Sequence, residues 1–194
     1  MKMLKKIAAA IMAVAMATLM LTACGEDSAP SYRLQKIVEA NQKTGKVYSE
    51  VVVYDTGATP ATVKFAVDGE KMFVNTGTAY DIVIKDNACY ILSQGQYRKM
   101  EAPADVVSAG KVTVPSADIV KSIKVIPEYK IEATGETMYA ESVVVDGQQV
   151  VYCFNGDKLA YIVTTVEGQT ITLKVNKWEN NYDQAIQDKL DLKA

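Results

Sequence analysis

Three cysteines and a small group of carboxylates are the side chains whose types and spacing could do chemistry in this chain. Cys24 closes an apolar run and stands just before the polar break Gly25-Glu26-Asp27-Ser28-Ala29-Pro30, a position that speaks of processing rather than packing. Cys89 and Cys153 are the remaining thiols. One reading joins them in a disulfide, which on the chain-entropy model would stabilise the fold by roughly 4 kcal/mol. The other leaves two buried thiols in separate strands. Bridging needs Cα atoms within about 7 Å, and a simple meander would keep those strands apart, so free thiols are expected. Glu136, Glu141 and Asp146 lie near one hairpin and invite comparison with the paired carboxylates of hydrolases. Each also has an ordinary structural place: Glu141 between Ala140 and Ser142 in a strand, Asp146 at the start of a turn. Asp86-Asn87 lacks the spaced oxygen ligands of a calcium loop. Histidine is absent from the whole chain, which excludes histidine acid–base catalysis, Ser-His-Asp triads and His-ligated zinc. Two thiols beyond Cys24 cannot build a cysteine metal cluster. No catalytic residue, metal site or cofactor is therefore expected, and the chain does not read as an enzyme.

The elements that place Cys24 come first. Lys2, Lys5 and Lys6 make a positive start without an acid, and Ile7 to Leu21 is apolar except for Thr18. That run is shorter than the about 20 residues a membrane span needs, and it suits the core of a secretory signal. The stretch Leu21-Thr22-Ala23-Cys24 resembles the lipobox of bacterial lipoproteins. The resemblance implies cleavage before Cys24 and a diacylglycerol on its sulfur, and two acyl chains hold a protein stably where one binds marginally. It divides the chain into a signal peptide (1–23), a lipidated N-terminus and tether (24–31) and one domain (32–194), carried on the extracytoplasmic face of the cell membrane. The tether has too little apolar surface to offset its ordering entropy.

After the leader about 170 residues remain, enough for one domain with a sizeable core. The leader holds three of the 21 basic residues and none of the 23 acidic ones, so the rest of the chain carries a net charge of about −5. Nucleic acid is a poor partner for such a chain, and anionic headgroups would not attract it electrostatically. The acyl chains must hold it at the membrane, and a monomer is expected.

Tyr32 to Asn41 places Leu34, Ile37 and Val38 at helical spacing, with Ser31 as the expected N-cap and Gly45 beyond the end. The period then changes to two. Strands are predicted over 46–54, 61–67, 79–85 and 88–92, with 97–100 extending the last or standing alone. An Asp68-Gly69 loop would pair Phe65 with Met72 and Val63 with Val74. Pro103 to Ile123 breaks the pattern and reads as two short helices. Strands return over 129–133, 138–145, 149–154, 158–165 and 169–175, separated by glycine turns in the manner of an antiparallel meander. Two-residue loops would set Tyr139 against Phe154, Val143 against Val150 and Tyr152 against Leu159, placing Tyr161 on the same bulky face. Tyr182, Ile186 and Leu190 predict a short closing helix, with Trp178 where the chain leaves the sheet.

The order of these elements, carried by LQKIVEANQKTGKVYSEVVVY and ETMYAESVVVDGQQVVYCFNGDKLAYIVTTVEGQTITLKV, resembles the LolA-like superfamily of lipoprotein carriers and its relatives in the mycobacterial LppX–LprG group. The resemblance implies an α+β fold, mostly antiparallel: a curved, unclosed half-barrel of about 9–11 strands with short helices on its concave face. It also implies an apolar cavity able to accept acyl chains or another apolar small molecule. The candidate lining is Val63, Phe65, Met72, Val74, Tyr139, Tyr152, Phe154 and Tyr161. An anchored module that binds a protein or cell-wall partner is the alternative expectation.

Overall fold

A computed structural model describes residues 32–55, 59–77, 80–86, 88–100, 123–145, 147–166 and 168–193. Cys24 and the leader lie outside the described residues, as do the two helices expected between Pro103 and Ile123, save Ile123 itself.

Eleven strands form one antiparallel sheet. The first half holds β1 (Lys46–Asp55), β2 (Ala61–Asp68), β3 (Lys71–Asn75), β4 (Tyr80–Lys85), β5 (Ala88–Ser93) and β6 (Gln96–Met100). The second holds β7 (Lys124–Lys130), β8 (Thr137–Val145), β9 (Gln148–Asn155), β10 (Lys158–Val166) and β11 (Gln169–Glu179). Their order is β6-β5-β4-β3-β2-β1-β11-β10-β9-β8-β7, so each half is a meander and β1 joins the two by pairing with β11. The outermost strands, β6 and β7, do not pair. The sheet is thus an unclosed half-barrel, curled by the twist its strands share.

Strand parity divides the core. Val47, Val51, Val53, Val63, Phe65, Val67, Met72, Val74, Tyr152 and Phe154 belong to one continuous apolar cluster on the inner face. The outer face carries two smaller clusters, one around Tyr48, Phe73 and Val83, the other around Ile131, Cys153 and Tyr161. Helix α1 (Arg33–Thr44) buries Leu34 and Val38 in the inner cluster. It ends at Gly45, whose left-handed φ of 65° lets its N–H reach the Asn41 carbonyl at 2.8 Å. Twelve residues make about 18 Å of helix, and the four strand spacings from β8 to β1 make about 19 Å. The helix therefore crosses the strands, from β8 at its first turn to β1 at its last.

Helix α2 (Gln184–Leu190) packs on the outer face against β3 and β4, with Leu190 fully buried. The Asp183 carboxylate caps it by accepting the Ile186 N–H at 3.0 Å. Lys71 to Asp191 at 2.5 Å, Lys189 to Asp81 at 2.6 Å and Lys46 to Gln187 at 3.2 Å tie it down.

Several expectations of register give way. The β2–β3 loop is Gly69-Glu70, so Phe65 pairs with Val74 and Val67 with Met72; the inner face keeps the same members. The β9–β10 loop is Gly156-Asp157, so Leu159 faces Phe154 rather than Tyr152. A bulge between Leu159 and Tyr161 then turns Tyr161 to the outer face, opposite Cys153, and sets Ile162 against Tyr152. Strand β7 begins at Lys124 and runs through Pro127, which an edge strand tolerates because one side of it makes no ladder. Strand β11 continues to Glu179, so Trp178 sits within the sheet, opposite Ser49.

Candidate functional site

Six of the eight candidate lining residues meet on the inner face. Val63, Phe65, Met72, Val74, Tyr152 and Phe154 are buried in one cluster, which also takes in Leu34 and Val38 of α1. Tyr139 is half-buried at its margin, its ring 6.3 Å from that of Phe154. Tyr161 is not part of this surface, for the bulge places it on the other side of the sheet. Phe65 meets Trp178 edge-on, with centroids 6.2 Å apart and planes at 77°.

The residue that sets α1 on this face is Glu141. Its side chain is wholly buried, with 0% exposure. Oε1 accepts the Arg33 N–H at 2.9 Å and Oε2 the Leu34 N–H at 2.8 Å. The Tyr139 hydroxyl donates to Oε1 at 2.8 Å. The first turn of a helix leaves its N–H groups without partners and carries partial positive charge, so a carboxylate satisfies both needs. The expected cap, Ser31, lies outside the described residues, and the observed cap residue Tyr32 makes no side-chain bond to the helix. The cap comes instead from strand β8, more than a hundred residues away in sequence. Burial, then the bond to Glu141, pushes the Tyr139 hydroxyl up to about 12.

Two of the three carboxylates considered for hydrolysis are described, and they do not form a pair. Glu136 is exposed in the turn before β8, while both oxygens of Glu141 are engaged. Asp146 lies outside the described residues. Asp86 occupies a turn with φ of 52°, and its neighbour Asn87 is outside the described residues. Among the described residues no group of three or more Cys, Asp or Glu side chains is arranged to hold a metal ion. Cys89 on β5 and Cys153 on β9 are free and buried; burial pushes both thiols up, that of Cys153 to about 12.

Along one edge of α1 the inner surface opens into a cavity of about 180 Å³. Arg33, Lys36, Ile37 and Ala40 line it from the helix, Asp157 from the β9–β10 turn, Trp178 from the end of β11 and Asn180 from just beyond it. The Arg33 guanidinium lies 4.2 Å from the centroid of the Tyr139 ring and 3.5 Å from the Asp157 carboxylate. Among the described residues, the buried Trp178 N–H and Tyr152 hydroxyl have no hydrogen-bond partner. Burial alone drives the Tyr152 hydroxyl far above the usual tyrosine range.

Sequence reasoning treated Glu141 as an ordinary strand residue and passed over Arg33, Lys36 and Asn180. A signal for Glu141 was available. It is the one acid at the alternating positions Tyr139, Glu141 and Val143, which share the bulky face, and a lone carboxylate there needs a donor.

No family model and no curated protein matches the sequence. Solved structures similar to this chain are an uncharacterized conserved protein from Thermus thermophilus, the Mycobacterium tuberculosis lipoprotein LppX and LprF from Mycobacterium bovis. The first is 12% identical with a TM-score of 0.43, covering 81% of this chain and 93% of its own. LppX is 12% identical with a TM-score of 0.42, covering 78% and 95%. LprF is 14% identical with a TM-score of 0.38, covering 80% and 97%.

Proposed function

We propose that this chain is an extracytoplasmic lipoprotein, anchored through acyl chains on Cys24, whose inner sheet face receives an apolar ligand or lipid. The observation that carries the reading is the extent of that face. Its apolar cluster runs from Ile84 on β4 to Val143 on β8, and among the described elements the single helix lying on it is α1. Helix α1, about 18 Å long and held at its first turn by one carboxylate, crosses only the β8-to-β1 part of a surface built from eight strands. Displacing it would expose a greasy trough of the kind that binds apolar small molecules. The leader motif supplies the address, and the chain reads as a binding protein rather than a catalyst.

A protein- or cell-wall-binding module would most simply use an unpaired sheet edge. Edge strand β7 is a poor template, since Pro127 removes a donor and a register shift between Ile126 and Tyr129 breaks its ladder. The apolar-ligand reading is preferred on the extent of the inner face.

Two arms test it. Chain purified from membranes is extracted with organic solvent, and the extract is analysed by lipid mass spectrometry. A stoichiometric apolar compound beyond the anchor's own acyl chains is expected; repeated absence refutes the binding claim. Cys24→Ser should move the chain from the membrane fraction to the soluble one, and retention in the membrane refutes the anchor.

A further inference from the structure

The cavity beside α1 has a chemistry the rest of the inner face lacks. Its floor is apolar, made by Ile37, Ala40 and the Trp178 ring. Its rim is cationic, with Arg33 and Lys36 one helical turn apart against the single carboxylate of Asp157. Asp157 is 81% exposed and sits 3.5 Å from Arg33, so solvent screens much of its charge. Lys36 is exposed and has no ion-pair partner among the described residues. The guanidinium and the ammonium are donors without acceptor atoms. Such a lining asks for an acidic group joined to a short apolar stem.

The size agrees. At about 180 Å³ the cavity is smaller than the about 300–1,000 Å³ of whole-ligand sites, and suits one end of a longer molecule. The guanidinium carbon stands 4.2 Å from the centroid of the Tyr139 ring, and a guanidinium fork grips a carboxylate or phosphate through paired N–H groups. Arg33 is also the residue whose backbone N–H bonds Glu141, so the same carboxylate that docks α1 sets the position of this cation.

We infer that this cavity is the head-group site of an anionic amphiphile. Arg33 and Lys36 hold its carboxylate or phosphate, while Ile37, Ala40 and Trp178 hold its first methylenes. The inference rests on reading the inner face as an apolar-ligand site, and adds that the ligand is an acid and enters at this edge.

The form titrated is the chain from Gly25 to Ala194, which holds every strand, helix and apolar cluster of the described residues. Trp178 is the chain's sole tryptophan, and its emission reports on the cavity directly. Palmitate, hexadecyl phosphate, hexadecanol and inorganic phosphate are titrated below their aggregation limits, with affinities taken from calorimetry. Palmitate or hexadecyl phosphate, or both, should shift the Trp178 emission and bind at least tenfold tighter than hexadecanol. Preference between the two acids identifies carboxylate or phosphate as the head. Lys36→Gln, a surface change, should weaken the acids about threefold, and the double variant with Arg33→Gln about tenfold or more, leaving hexadecanol unmoved. Equal affinity for palmitate, hexadecyl phosphate and hexadecanol would overturn the head-group inference and leave the apolar-ligand reading standing. So would tight binding of the acids with no change at Trp178, or binding of inorganic phosphate alone as tight as that of hexadecyl phosphate. Failure of every amphiphile to bind would take down both.

Discussion

Replacing Glu141 by alanine removes the acceptor of two first-turn N–H groups and of the Tyr139 hydroxyl. Hydrogen bonds to a charged group contribute about 1.5–3 kcal/mol each, and a buried donor left without a partner costs about 1–3 kcal/mol. The Leu34 N–H would be fully stranded, whereas the Arg33 N–H is part-buried and can turn to water. The tyrosine hydroxyl is near the surface and can do the same. The expected loss is thus about 3–5 kcal/mol, as for other broken buried charge contacts, a large share of the about 5–15 kcal/mol that holds a domain folded. Glu141→Gln keeps one carbonyl oxygen for one N–H but turns an NH2 toward the other, and should lose about 2 kcal/mol. Urea unfolding followed by far-ultraviolet circular dichroism gives the totals. Trp178, which packs beside α1, gives the local answer, and its emission should shift to the red in the alanine variant before the main transition. A loss under about 1 kcal/mol with unchanged Trp178 emission would refute the claim that Glu141 docks the helix.

Four further outcomes follow from particular contacts. Phe65→Ala, at a site with no exposure, should lose about 3–5 kcal/mol in urea unfolding, and a loss below about 1 kcal/mol would show that the inner cluster is loosely packed. Tyr152→Phe removes a buried hydroxyl without a partner among the described residues and should be neutral or stabilising by about 1 kcal/mol; a clear loss would reveal a bond there. Lys71 and Gln187 hold the Asp191 carboxyl below its ordinary value. Its contribution is therefore present above the ordinary carboxylate range and lost as pH falls through the folded value. Lys71→Met should flatten that acid limb of a plot of urea midpoint against pH, and an unchanged limb would contradict the assignment. A thiol reagent should find Cys89 and Cys153 only after denaturation, two per lipid-free chain from Gly25 onward, and none after denaturation would mean a disulfide.

What could be read from the sequence was what local chemistry decides. Val143 and Val150 pair as expected, as do Tyr139 and Phe154, in a register where Val145 meets Gln148, the one that the Asp-Gly signal in the sequence calls for. The stripe of Leu34, Ile37 and Val38 and the closing helix of Tyr182, Ile186 and Leu190 were legible from period alone. Tyr161 was not, because one extra residue near Ala160 reverses every later side chain on β10 and carries no glycine to announce it. The early start of β7 was hidden by Pro127, a residue that argues against a strand unless the strand is known to be an edge. The site was hardest. Glu141 and the first turn of α1 are brought together only by the fold, and the cavity joins α1 to Asp157 and Trp178, far along the chain.

The central claim is that the inner face beneath α1, and no other surface, receives an apolar ligand. A fatty acid bearing a photoactivatable group at its chain end tests it most directly, with the labelled positions read residue by residue. The account predicts saturable labelling at Phe65, Met72, Tyr152 or Phe154, lost in competition with unlabelled palmitate. Labelling confined to outer-face residues such as Tyr90, Tyr97 and Tyr161, or none that saturates, would contradict it.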